Sequence, residues 1–241
     1  MSEPVPMSMV RGLFITGTDT GCGKTEVTLG LMQALQQRGE TVLGMKPVAS
    51  GAAPTPDGAR NRDALRLQAQ GSRPLPYPWV NPFVYEPPIA PHLAAESAAR
   101  LIDLDEIEAG VRRLSELADR VLVEGVGGWY VPLGEDNTVA DLACRLGLPV
   151  VLVVGLRLGC INHALLSEAC IRHSGARLLG WVANQVEAEV PALEGNLRTL
   201  RERLSVPCLG TIPWLEAVSP GKTSEHLDVG PLTRMFHTGK R

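Results

Sequence analysis

Residues 12–25 read GLFITGTDTGCGKT, and the fold turns on how this stretch is parsed. Gly12–Gly17 is a run of strand length and strand composition. It delivers the chain into Gly17-Thr18-Asp19-Thr20-Gly21-Cys22-Gly23-Lys24-Thr25, and helical spacing of apolar residues begins at Lys24. A strand, a glycine-rich loop ending in G-K-T and a helix make the frame of a phosphate-binding loop. Thr18 stands where the consensus places its first glycine, and Gly17 comes one residue early. The chemistry suits a nucleotide. Backbone N–H groups close around phosphate oxygens, and the helix N-terminus adds partial positive charge. Lys24 is expected to reach the β/γ-phosphates and the Thr25 hydroxyl a Mg²⁺ ion.

Outward from this loop, strand-length apolar runs alternate with helical patterns. Strands are predicted at Thr41–Lys46, Arg120–Glu124, Pro149–Gly155, Arg177–Asn184 and Pro207–Ile212. Helices are predicted over Lys24–Arg38 (closed by Gly39), Asp63–Gln70, Leu104–Ala118, Val139–Leu146, Asn162–Ser174 and Pro191–Leu204. Runs such as PVVLVVG at 149–155 are rich in β-branched residues and unbroken by polar ones, which fits strands buried on both faces. The expected fold is α/β, a single P-loop NTPase-like domain with a mostly parallel sheet and helices on both faces. It is expected to fill residues 11–241 after a disordered lead-in over 1–10.

Two stretches break the pattern. Arg73–Pro91 (RPLPYPWVNPFVYEPPIAP) is too rich in proline for a helix or a central strand. It reads either as a lid or substrate wall, or as a packed surface excursion. Gly221-Lys222-Thr223 repeats the G-K-T triplet with no strand close before it, and reads as a solvated loop.

Three charged residues are placed to join the phosphate loop. Glu124 ends an apolar strand, at the carboxyl edge where α/β sheets bind ligands, and Gly125-Val126-Gly127 lets the backbone approach closely. It reads as a metal ligand or as a rim acid. Asp63 opens a helix, where an acid can simply cap. Lys46 ends the second strand. If the first two strands are neighbours, it lies beside the Lys24 loop, where a second cation would stabilise charge in transfer; the plainer reading is a lysine snorkelling from a strand end.

Composition narrows the field. A chain of 241 residues can bury about 70% of its surface, enough for one full core. Hydrophobic residues at 44%, charged residues at 20% and a net charge of −3 fit a globular protein without a nucleic-acid-binding coat. No apolar stretch approaches the ~20 residues of a membrane helix, and the first residues lack the pattern of a secretory signal. Five scattered cysteines (Cys22, Cys144, Cys160, Cys170, Cys208) form no C-x-x-C, which fits a reducing cytoplasm.

Taken in order, GTDTGCGKT, KPVASG, NRDALRLQ, VEGVGGWYVPL, GCINHALL, VANQ and GTIPWL resemble the dethiobiotin synthetase family, from the first strand to about Leu215. The resemblance implies a homodimer that joins 7,8-diaminononanoate (7,8-diaminopelargonate) and CO₂ into the cyclic urea of dethiobiotin while ATP becomes ADP and phosphate. A carbamate forms first, takes the γ-phosphoryl group, and is attacked by the second amine. Carried over, Gly21, Cys22, Gly23, Lys24, Thr25 and Glu26 match the ATP-phosphate loop. Thr25, Asp63 and Glu124 match the Mg²⁺ ligands, and Lys46 the catalytic lysine. Thr20 and Ser50 match substrate contacts, and the turn Glu124, Gly125, Val126, Gly127 a nucleotide and substrate contact. Asn184, Gln185, Pro213, Trp214 and Leu215 match the adenine-binding segments. Cys160, Ile161 and Asn162 match a helix start that holds the substrate carboxylate of the neighbouring subunit. Gly21 stands where some relatives carry glutamate, and no adenine contact is carried past Leu215.

The competing class is a ParA/MinD-like partner-switching ATPase, which would share the sheet and the loop. It calls for a lysine near the start of the loop, where this chain has Thr18-Asp19-Thr20, and for a basic patch or a terminal amphipathic helix to bind DNA or membrane. A glutamine-dependent amidotransferase would need a further glutaminase domain.

Overall fold

The computed structural model describes residues 10–232. The expected lead-in therefore lies outside the described residues but for Val10. A six-stranded sheet runs in the order β2 (Val42–Met45), β5 (Arg120–Glu124), β1 (Gly12–Gly17), β6 (Val150–Leu156), β7 (Leu178–Gln185) and β8 (Cys208–Ile212), with every pairing parallel. All residues of β1, β5 and β6 are buried, so helices must cover both faces. Leu13, Phe14, Ile15, Trp181 and the valines of β6 are the centre of the core.

Helix α1 (Lys24–Gln36) packs on β1, β2 and β5, with α2 (Arg62–Gln70) beside it. The short α3 (Tyr77–Val80) and α4 (Pro91–Ser97) follow. Helix α5 (Leu104–Ser115) packs on β5 and on α6 (Val139–Leu146), while α7 (Cys160–His173) packs on β6 and β7 and on α8 (Leu193–Arg203). Local chemistry sets several of these starts. Asn61 caps α2 by accepting from the N–H groups of Asp63 (3.0 Å) and Ala64 (3.2 Å), and Thr138 with Asp141 closes a capping box on α6.

The structure corrects the expected topology in three places. The second strand is not adjacent to the first, because β5 lies between β1 and β2. The proline-rich stretch does hold regular structure: α3, and β4 (Phe83–Val84), which pairs with β3 (Val48–Ala49) in a separate two-stranded sheet. Its apolar side chains Leu75, Tyr77, Val80, Phe83 and Tyr85 are buried, and that burial outweighs the missing proline donors. Finally, Gly221-Lys222-Thr223 is not a loop. It lies in α9 (Pro220–Ser224), which docks on α1 with Thr223 fully buried against Gly30, while Lys222 stays exposed.

Candidate functional site

The carboxyl ends of the strands converge on one cleft of about 690 Å³. Thr20, Gly21, Gly23, Lys24, Thr25, Glu26, Lys46, Ser50, Asp63, Glu124, Val126 and Gly127 all line it. A smaller cavity of about 220 Å³ adjoins it, walled by Asn184 and Gln185 from the end of β7 and by Pro213, Trp214 and Leu215 after β8. Trp214 is 47% exposed there.

Close packing shapes the loop. A Cβ at Gly17 would meet Cys22 Sγ at 2.3 Å, so the early glycine leaves room for the fully buried Cys22 and for Lys24. Gly23 has φ +89°, and a Cβ there would meet Asn184 Nδ2 at 2.0 Å. Asn184 itself braces the loop, donating to the Cys22 carbonyl at 3.0 Å. Lys24 Nζ donates to the Asp19 carbonyl at 2.8 Å. The carboxylate of Asp19 is ion-paired with Arg157, which ties the loop to the segment after β6.

The floor of the cleft is a buried charge cluster. Lys46 Nζ lies 2.6 Å from Glu124 Oε1 and 3.7 Å from Asp63 Oδ2, and Thr25 Oγ1 donates to Glu124 Oε1 at 2.7 Å. Burial alone would push the Lys46 ammonium down. The negative charges of Glu124 and Asp63 outweigh it and hold the amine above the usual lysine range. Lys24 goes the other way: burial pushes it below that range, and the positive charge of Lys46 adds to the effect. One side chain is thus a fixed cation and the other a cation waiting for an anion.

Glu124 Oε2 is buried with no hydrogen-bond partner among the described residues. An unpaired buried carboxylate oxygen is costly, and a divalent cation beside Thr25 would satisfy it. Asp63, 40% exposed, stands at the open side of the same cluster. Among the described residues no group of three or more His, Cys, Asp or Glu could hold a metal alone. Any Mg²⁺ here would complete its shell with phosphate oxygens and water. The residues present fit that demand.

The sequence reading missed the brace behind Lys46. Asn81, buried in the proline-rich stretch, donates to the Lys46 carbonyl (2.7 Å) and the Phe83 carbonyl (3.2 Å). Tyr77 Oη donates to Asn81 Oδ1 (2.8 Å) and accepts from the Asn61 N–H (2.7 Å). One buried chain of hydrogen bonds therefore holds the Lys46 strand end and the start of the Asp63 helix together. Pro88, Ile89, Ala90 and Pro91 then form a wall of the cleft. The stretch is both packed and part of the site. The asparagine before a helix was the available signal for Asn61; nothing local marked Asn81.

Some expected site residues do not line either cavity. Cys22 is sealed behind the loop, and Gly125 follows Glu124 without reaching the cleft wall. Cys160, Ile161 and Asn162 form the first turn of α7, away from the cleft of their own chain, with Cys160 buried and Asn162 exposed.

Residues 11–222 match a family model described as an AAA domain. An ATP-dependent dethiobiotin synthetase from Cellvibrio japonicus is 51% identical over 222 residues, covering 92% of this chain and 97% of that protein. Another, from Pseudescherichia vulneris, is 46% identical over 233 residues, covering 96% and 97%. Among solved structures, the septum site-determining protein MinD of Pyrococcus horikoshii aligns with a TM-score of 0.54 at 18% identity, covering 92% of this chain and 89% of that one. The MinC:MinD complex of Aquifex aeolicus aligns with a TM-score of 0.55 at 16% identity, covering 96% and 97%. At such identities the MinD likeness is one of fold.

Proposed function

Because the chain belongs to the ATP-dependent dethiobiotin synthetase family, we infer that its cleft performs the family's ring closure through the residues gathered there. The chain is an ATP-dependent cyclo-ligase of biotin biosynthesis. The partner-switching reading loses to this one, since the MinD likeness stops at the fold.

Thr20 and Ser50 hold the diamine end of 7,8-diaminononanoate in the cleft. One amine adds to CO₂ and loses a proton, giving a carbamate whose oxygens face the Lys46 ammonium, which its carboxylate neighbours hold above the usual lysine range. The backbone of Gly21 and Gly23 and the Lys24 ammonium hold the triphosphate in line, and the adjoining cavity takes the adenine. A carbamate oxygen attacks the γ-phosphorus and ADP leaves, forming a carbamic-phosphoric anhydride. The second amine attacks the carbonyl carbon and gives up a proton, phosphate departs, and the urea ring is closed. Thr25, Asp63 and Glu124 would hold Mg²⁺, which when bound offsets phosphate charge. Lys24 and Lys46 offset the remainder.

The reading extends to a cytoplasmic homodimer of single P-loop domains spanning residues 11–241. In the first turn of α7 (Cys160, Ile161, Asn162) the Cys160 N–H is engaged by the Arg157 carbonyl, and the N–H groups of Ile161 and Asn162 are then offered to the substrate carboxylate bound to the neighbouring subunit. Among the described residues no helix is long and apolar enough to cross a membrane.

What supports the reading most is the buried cluster of Thr25, Lys46 and Glu124 beside the phosphate loop. The purified chain should release phosphate from Mg·ATP only when diaminononanoate and bicarbonate are both present. With ¹³C-bicarbonate, one labelled carbon should appear in the ureido product. Turnover that ignores the diamine but rises with DNA or lipid vesicles would return the chain to the partner-switching class.

A further inference from the structure

The two cavities meet at a single side chain. The described residues that line both are Gly21, Gly23 and Glu26. The glycines present only backbone there, so Glu26, in the first turn of α1, supplies the one functional group at the junction. A nucleotide with its phosphates in the cleft and its base in the smaller cavity must pass its sugar through this waist.

A carboxylate in a phosphate site is unfavourable on charge alone. Here it is clamped. Arg66 of α2 takes both oxygens: Nη1 donates to Oε1, and Nη2 donates to Oε2 at 2.7 Å. A two-pronged guanidinium pair fixes orientation as well as neutralising charge. Both side chains remain partly open, 28% for Glu26 and 29% for Arg66. Each carboxylate oxygen has two lone pairs, so capacity remains after Arg66 is served. A carboxylate can only accept, and the groups on a sugar that donate are its hydroxyls.

We propose that Glu26, held by Arg66, is a specificity residue that accepts a hydrogen bond from a ribose hydroxyl and selects ribonucleotides over deoxynucleotides. The inference rests on the assignment of the cleft to phosphates and the adjoining cavity to the base. Calorimetric titration of the full chain with ADP, 2′-deoxy-ADP and 3′-deoxy-ADP, each with magnesium, tests it. A hydrogen bond to a charged acceptor predicts that ADP binds about tenfold or more tighter than at least one deoxy analogue. In Glu26→Ala that gap closes to within about twofold, the strength of an exposed contact, while the melting temperature holds. Glu26→Leu, which keeps most of the volume but offers no acceptor, serves if the alanine variant melts early. Arg66→Ala weakens all three ligands, because the carboxylate is no longer shielded. A wild-type chain with no preference, or an Glu26→Ala variant that keeps the full gap, overturns the proposal. A wild-type chain that binds none of the three nucleotides sinks the site assignment itself.

Discussion

Lys46 and Glu124 face each other at 2.6 Å with side chains only 6% and 0% exposed. Neither charge has water to fall back on. Breaking a buried pair leaves its partner stranded, at a cost of ~3–5 kcal/mol. Lys46→Ala is expected to stop product formation and to lower unfolding stability by that order in urea titrations. An unchanged urea midpoint would contradict the geometry.

Nucleotide affinity should fall on the alkaline side before an ordinary lysine would titrate. Burial disfavours the charged form of Lys24, so its proton leaves below the usual value of about 10.4. The ammonium grips phosphate below that point and is lost above it. Lys46 titrates later, because its carboxylate neighbours hold its proton. Titrating Mg·ADP across pH should give an alkaline midpoint for affinity under 10.4. Lys46→Gln removes the neighbouring cation and should move that midpoint up.

Asn81 touches no ligand, yet its loss should reach the chemistry. Asn81→Ala strands the Lys46 carbonyl and removes the acceptor of the Tyr77 hydroxyl, at about 1–3 kcal/mol for buried groups left unpaired. The strand end that carries Lys46 then loosens. Steady-state kinetics should show a lower kcat with little change in KM for ATP. A drop in melting temperature with kcat intact would reduce Asn81 to a purely structural residue.

The two G-K-T triplets should behave oppositely. Lys24→Ala is expected to abolish product formation, whereas Lys222→Ala leaves it nearly intact because Lys222 is exposed on α9. Trp214→Ala, which strips the wall of the smaller cavity, should weaken Mg·ADP by about tenfold, as expected for loss of a base-stacking ring. Calorimetry on the three variants separates phosphate grip, base stacking and bystander.

What could be read from the sequence was what is local. The predicted bounds of Gly12–Gly17, Arg120–Glu124 and Val139–Leu146 match the observed elements, because apolar spacing and caps act within a few residues. Adjacency of the first two strands would put Lys46 beside the phosphate loop; Lys46 does line the same cleft as Lys24, but by another route. It is β5 that lies next to β1, and Glu124 at the end of β5 draws Lys46 in. Strand order is a matter of long-range pairing and leaves no local trace. The same holds for β4, hidden among prolines until β3 pairs with it, and for Arg66, which meets Glu26 from 40 residues away. The second G-K-T deceived for a related reason: Thr223 is polar by composition and buried by contact with Gly30.

The docking of α9 on α1 bears on how the molecule comes into being. Translation lays down the phosphate loop first and Trp214 and Thr223 some two hundred residues later. While the polypeptide is still emerging from the ribosome, α1 lacks the cover of α9, and the smaller cavity lacks the wall that Trp214 gives it. A nascent chain should therefore be unable to sequester nucleotide until α9 has been made and has docked on α1, which separates the appearance of the phosphate loop from its first use.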